Sequence, residues 1–212
     1  MSVGLWASRD RGQTWEWRAQ VARTSVAGGL WEPEMHLKAN GDLVVHYSDE
    51  TEVGKSQKLV ERYSSDGRTF GQVWPTVRLA DGGARPGMAN VKRLANGTFL
   101  MTYEICGPNW NCEFYWRTSA DGGNWGDPAQ AGTRITASDG SRPRHAPVLT
   151  LVENGPYAGR LVLFGQRHFT SGGAVDAGSG ATMLVSDNGP GGPWVRAAAP
   201  LKVPNVGTNT CQ

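Results

Sequence analysis

The sequence lacks any apolar run approaching the ~18 residues that a membrane-spanning helix requires, so no membrane partner is expected. It also lacks a dominant charge: 21 Lys and Arg stand against 19 Asp and Glu, a formal net charge of +2, with no basic cluster. Nucleic acid is therefore not an expected partner. The first twenty residues, MSVGLWASRDRGQTWEWRAQ, hold no signal-peptide core, so secretion is not visible in this stretch. Histidine is scarce, and His145 and His168 have no spaced Cys or His partners of the kind zinc demands; no metal or other cofactor is expected. There are three cysteines. Cys106 and Cys112 bracket CGPNWNC, a short loop that suits a local disulfide, with two free thiols as the other reading. Cys211 has no evident partner.

What the chain does have is 29 glycines, 9 tryptophans and many short apolar runs within 212 residues, the pattern of an all-β chain with frequent turns. Four stretches repeat: SRDRGQTW from Ser8, SSDGRTF from Ser64, SADGGNW from Ser119, and the looser SDNGPGGPW from Ser186. Their aspartates, Asp10, Asp66, Asp121 and Asp187, lie 56, 55 and 66 residues apart. One Ser-Asp-Gly turn is ordinary chemistry, but four in near-register mark a repeat architecture. They resemble the Asp-box, or bacterial neuraminidase repeat, of sialidase-like β-propellers. That resemblance implies an Asp accepting backbone N–H groups, a glycine at positive φ and an aromatic packed between sheets. It speaks to fold rather than to activity.

Between the repeats the pattern recurs as three strands, a turn, and an outer strand, which is a four-stranded blade. The expected blades are 30–80, 84–136 and 143–200, with residues 1–25 supplying an outer strand only. Propellers of this kind have six blades, so the chain is expected to be a partial six-bladed propeller of about three to four blades. Antiparallel topology puts the Asp turns and the Asn-Gly hairpins on one face. On the opposite face it collects Glu32, before the first inner strand, and Glu104, at the end of MTYE. Trp31, Tyr47, Asp49, Arg85, Arg144, His145 and Arg167 fall on that face as candidate substrate-binding residues. Two carboxylates across a groove are the machinery of glycoside hydrolysis. The competing readings are that Glu32 caps backbone N–H groups, Glu104 pairs with Arg85, and Trp31 and Tyr47 pack rather than stack on sugar.

The motifs WEP, YSDE, ARPGM and MTYE, over most of the chain, resemble glycoside hydrolase family 93, the exo-α-1,5-L-arabinanases. The resemblance implies a retaining mechanism with Glu32 as nucleophile and Glu104 as acid/base, releasing arabinobiose from linear arabinan. It also implies an extracellular protein, monomeric at full length. Glu34, the second acid of WEPE, departs from the family pattern and is expected to line the axis. One alternative is an exo-α-sialidase using Arg85, Arg144 and Arg167 as its arginine triad, although the Arg-Ile-Pro motif is absent. The other is a non-catalytic glycan-binding propeller.

Overall fold

The computed structural model describes residues 1–203; Cys211 lies outside them. No helix is present among the described residues, and none could cross a membrane. The first blade is the sheet β3 (Leu30–Leu37), β4 (Leu43–Asp49), β5 (Lys58–Ser64) and β6 (Trp74–Val77), in that order from the inside. The second is β7 (Arg85–Arg93), β8 (Phe99–Cys106), β9 (Glu113–Ser119) and the short β10 (Thr133–Arg134). The third is β12 (Val148–Leu151), β13 (Leu161–Phe164), β15 (Thr182–Ser186) and β16 (Val195–Ala198).

Two features differ from the sequence expectation. Residues 1–25 are not an outer strand alone but an antiparallel hairpin, β1 (Ser2–Ala7) with β2 (Glu16–Arg23). Its first strand, SVGLWA, does alternate, with Val3, Leu5 and Ala7 turned inward, but it is short, and Gly4 and the outward Trp6 blur the period-2 signal. The second and third blades are also stitched together. β11 (Arg142–Arg144) pairs with β9 through Arg144 and Glu113, and β14 (Arg167–Phe169) pairs with β11. Arg134, Arg142 and Arg144 all reach the buried Glu113 carboxylate, which anchors this extra pair.

The core lies between sheets, and strand alternation explains how. On β8, Phe99, Met101, Tyr103 and Ile105 pack toward the first blade with Leu59, Val77 and Trp125. Leu100 faces the other way, against Leu149, Leu161, Leu163 and Trp194 of the third. Both faces of β8 are covered, so its apolar run is nearly continuous. A third cluster joins the hairpin to the first blade through Val3, Val21, Val45, Tyr47 and Phe70.

Three of the four Asp turns use the aspartate as an acceptor of backbone N–H groups, the first in a turn one residue longer than the other two. Asp10 accepts from Thr14 N–H at 2.9 Å, Asp66 from Arg68 and Thr69 N–H at 2.8 Å, and Asp121 from Gly123 and Asn124 N–H at 2.9 and 2.8 Å. Each also accepts from the Ser two residues earlier. Asp187 does not cap its turn: it is paired with Arg160 at 2.6 Å and faces solvent. It follows Ser186 by one position instead of two, so Asn188 occupies the spacing at which the other aspartates stand. Of the closing aromatics, Phe70, Trp125 and Trp194 are buried, whereas Trp15 is 61% exposed because no sheet of the described residues covers it. Asp121→Ala is therefore expected to cost ~1 kcal/mol, the usual value of a lost turn or cap acceptor. Asp187→Ala should leave the melting temperature unchanged. Thermal melts of the two variants would contradict this geometry if they fell together.

The Asn-Gly hairpin after β3 sits beside the Asp turn of the second blade, with Ala39 N–H donating to the Asp121 carbonyl at 2.9 Å. Those turns therefore share one end of the sheets, and the starts of β3, β7 and β12 lie at the other.

Candidate active site

That other end holds a cavity of ≈ 550 Å³. Glu32 and Glu104 both line it, with Trp31, Arg85 and His145 around them. Gln57, Met88, Cys106, Ala146 and Gln166 complete the wall.

One local device, repeated from blade to blade, builds it. Inner strands β3 and β7 each carry a bulge near their start, between Trp31 and Glu34 and between Gly87 and Asn90. Within these bulges Glu32 and Met88 have φ of 56° and 54°, and the corresponding Ala146 before β12 has 53°. A left-handed conformation at non-glycine residues costs energy and concentrates at functional sites. At Met88 and Ala146 it turns the N–H toward the carboxylate of the preceding blade. Met88 N–H donates to Glu32 Oε2 at 3.1 Å, and Ala146 N–H donates to Glu104 Oε2 at 2.8 Å.

Ser48 Oγ on β4 adds a second donor to Glu32 Oε2, at 2.8 Å. Gly87 makes room for this: a Cβ there would lie 2.6 Å from Ser48 Oγ and 2.9 Å from Glu32 Oε2. Glu104, directly across the β7–β8 ladder from Gly87, is 8% exposed. Burial pushes its pKa up to about 7; the Ala146 N–H opposes that rise and the Glu32 charge adds to it. The two carboxyl groups thus feel one another, but they sit in unlike surroundings. Glu32 is held by two donors at a half-buried position, while Glu104 is dry and has one.

The aromatic wall is Trp31, 42% exposed, whose indole N–H donates to Glu50 at 2.8 Å. Glu50 also accepts from Gly29 N–H and Arg85, and Arg85 is further held by Gln57 and Ser56. Burial opposes ionisation of Glu50, yet these bonds together hold its pKa below the usual value. The pairing weighed for Glu104 with Arg85 is thus not formed: the arginine's carboxylate partner is Glu50. His145 lies at the far wall, where burial and the charges of Arg167 and Arg144 push its pKa down and favour the neutral ring.

Four expected binding residues are elsewhere. Tyr47 is 1% exposed in the core against the hairpin. Asp49 accepts from Thr51 N–H and Oγ1 and faces Lys58. Arg144 bridges Glu113 and covers the Phe169 ring, and Arg167 lies 5.9 Å from the centre of the same ring. Glu34 does not line the cavity either. It accepts Val91 N–H at 3.0 Å, tying β3 to β7, and Asn90 repeats that tie by accepting Leu149 N–H at 3.4 Å. Strand parity separates the residues of β4: Val45, Tyr47 and Asp49 share one face, and Ser48 takes the other, toward Glu32.

Cys106 and Cys112 form a disulfide. Their sulfurs and a His145 ring nitrogen lie within 4.8 Å of one another, but the sulfurs are bonded to each other and offer no thiolate to a metal.

No protein-family model matches the chain, and no curated protein matches it. Solved structures do. An α-L-arabinanase of Penicillium chrysogenum, determined with arabinobiose, superposes with a TM-score of 0.79 at 24% identity, over 95% of this chain and 56% of that one. The GH93 α-L-arabinofuranosidase of Fusarium graminearum, also with arabinobiose, gives 0.75 at 26%, over 94% and 55%. An endo-arabinase of Bacteroides thetaiotaomicron gives 0.57 at 16% and shares the fold alone. The chain spans about half the length of the first two. Its fold is that of the family 93 arabinan-degrading enzymes, over four neighbouring sheets of the propeller.

Proposed function

We propose that the protein is a glycoside hydrolase acting on arabinan, an exo-α-1,5-L-arabinanase that works with retention of configuration. The observation that carries this is the unlike pair of carboxyl groups in one cavity. Glu32, oriented by Ser48 and Met88, serves as nucleophile; Glu104, which keeps its proton to about pH 7, serves as acid and then as base. Two environments that treat two carboxyl groups differently are what a retaining double displacement needs. Trp31 offers a flat apolar face for a furanose ring, and Arg85 and Gln57 line the polar wall beside it. The structural neighbours determined with arabinobiose support arabinan as the polymer. A disulfide in the site suits an oxidising compartment, in keeping with secretion.

The sialidase alternative requires three converging arginines. Only Arg85 of the three lines the cavity, and it is already paired with Glu50. The deciding experiment incubates the protein with linear α-1,5-arabinan and follows the products by proton NMR. Release of arabinobiose, first seen as the α-anomer, is expected. Initial β-anomer would overturn retention, and tight arabinan binding without any product would favour a binding module.

A further inference from the structure

The Cys106–Cys112 disulfide has no part in that reaction, yet it lies against the cavity. Cys106 follows Glu104 by two residues on β8, and its Sγ is 3.3 Å from Glu104 Oε1. A disulfide sulfur has no proton to donate, so this contact is an apolar wall on one side of the carboxyl group. The other half of the bridge reaches the opposite side by a different route. The Cys112 carbonyl accepts His145 N–H at 3.1 Å, the His145 carbonyl accepts Gln166 N–H at 2.8 Å, and the next residue, Ala146, donates to Glu104. A closed ring results, running from Glu104 along β8 to the disulfide, across to His145 and Ala146, and back to Glu104.

The backbone of this ring is held in costly conformations. Asn111 and Cys112 have φ of 58° and 54°, and His145 and Ala146 have 62° and 53°. Two adjacent non-glycine pairs in the left-handed region persist only where the surroundings impose them. Here the surroundings are the disulfide and the Asn111 N–H to Gly107 carbonyl turn bond on one pair, and the Cys112 carbonyl, Gln166 N–H and Glu104 carboxyl group on the other.

We infer that the Cys106–Cys112 disulfide is a positioning element for Glu104, fixing through the Cys112 carbonyl the Ala146 N–H that grips the carboxyl group. Cleaving the bridge loosens Cys112 while Asp81 still holds Asn109 and Trp110, shifts the carbonyl that holds His145, and releases Ala146 from Glu104. That Glu104 takes part in chemistry rests on the proposed function; the brace itself does not.

The test reads the Ala146 amide directly. In the intact protein its proton signal should move downfield as Glu104 ionises, with a midpoint at about 7. Glu104→Gln should abolish that movement and so assign it. A trialkylphosphine then reduces the bridge: the S–S bond breaks, two thiols form, and the phosphine takes oxygen from water to become its oxide. In the reduced protein the pH response of Ala146 should disappear and its amide exchange should accelerate ~10-fold or more, while β8 and β9 amides stay protected. The double variant C106A/C112A should behave the same way. An unchanged amplitude and midpoint after reduction would overturn the inference. So would loss of protection throughout β8 and β9, since the bridge would then hold the fold and not one carboxyl group. Should Glu104→Gln retain full turnover while Ala146 still responds to reduction, the proposed reaction falls and the brace stands.

Discussion

Glu104→Gln is expected to lower turnover on arabinan by ~10²–10⁴-fold while making the protein more stable in alkali. The first effect follows from the role proposed for the residue. A glutamine cannot protonate the departing sugar oxygen, nor take a proton from the incoming water. Substrates with an activated aryl leaving group should escape the first defect and show a burst followed by slow turnover. Azide, which needs no deprotonation, should then relieve the second. In the unaltered protein the rate should fall as pH rises through about 7, where the acid is lost.

The stability effect has the opposite sign, and linkage fixes it. Folded Glu104 holds its proton to about pH 7, whereas an unfolded chain releases it near ~4.3. Between those values the native state binds more protons than the unfolded state, so stability falls as pH rises across the window. The total loss is on the order of 4 kcal/mol at most. Glutamine carries no charge to bury and can still accept from Ala146, so the variant avoids that loss. Thermal melts at pH 4 and pH 8 should show little difference at the first and a higher melting temperature for Glu104→Gln at the second. A variant destabilised equally at both would mean that Glu104 is not held as a buried acid. Glu61 makes a useful control. It is likewise buried with its pKa raised to about 7, but it bonds Tyr63 and Trp125 between the first and second blades, away from the cavity. Glu61→Gln should shift the alkaline melt and leave the pH–rate profile alone.

The sequence made the frame of this site legible because the frame is periodic. Regular aspartate spacing located the turns, antiparallel order put Glu32 and Glu104 at the same end, and both carboxyl groups do line one cavity. Less visible was which side of each strand a residue takes. Tyr47 and Asp49 are polar at the right end of β4, but they share their side of the strand with Val45, and because Val44 on the other side is equally apolar the sequence does not say which side packs on the hairpin. The bulges were harder still. Nothing in WEPE or RPGM announces that the third residue after the bulge begins would turn outward to bond a neighbouring strand, as Glu34 does. The Ala146 N–H leaves no trace in residue type at all, since any amino acid but proline supplies a backbone donor. The Asp187 turn shows the reverse case: a one-residue change in the spacing from Ser186 was present in the sequence and decides the geometry.

Gly87→Ala is expected to reduce turnover ~100-fold without altering either carboxyl group, the scale that follows from misplacing a reacting atom by about an ångström. A Cβ at Gly87 would lie 2.5 Å from Gln57 Nε2, 2.6 Å from Ser48 Oγ and 2.9 Å from Glu32 Oε2. Every one of these is the tip of a side chain that can swing aside, and none is backbone. The φ of Gly87 is not in the left-handed region, so alanine meets no backbone strain there. The fold should therefore absorb the methyl group at a cost of ~1–3 kcal/mol, typical of mild overpacking. The site should not absorb it, because the tips that must move are the nucleophile and the two groups beside it. Moving Ser48 Oγ removes one of the two donors on Glu32, and moving Gln57 disturbs the bond that helps fix Arg85. Glu32→Gln should abolish turnover through loss of the nucleophile itself, and Ser48→Ala should fall between wild type and Gly87→Ala. Kinetics of this series on arabinan, with circular dichroism to show that each variant folds, would test the assignment. Near-normal kcat/KM in a folded Gly87→Ala protein would mean that the Glu32 carboxylate does not work from the position in which Ser48 and Met88 hold it.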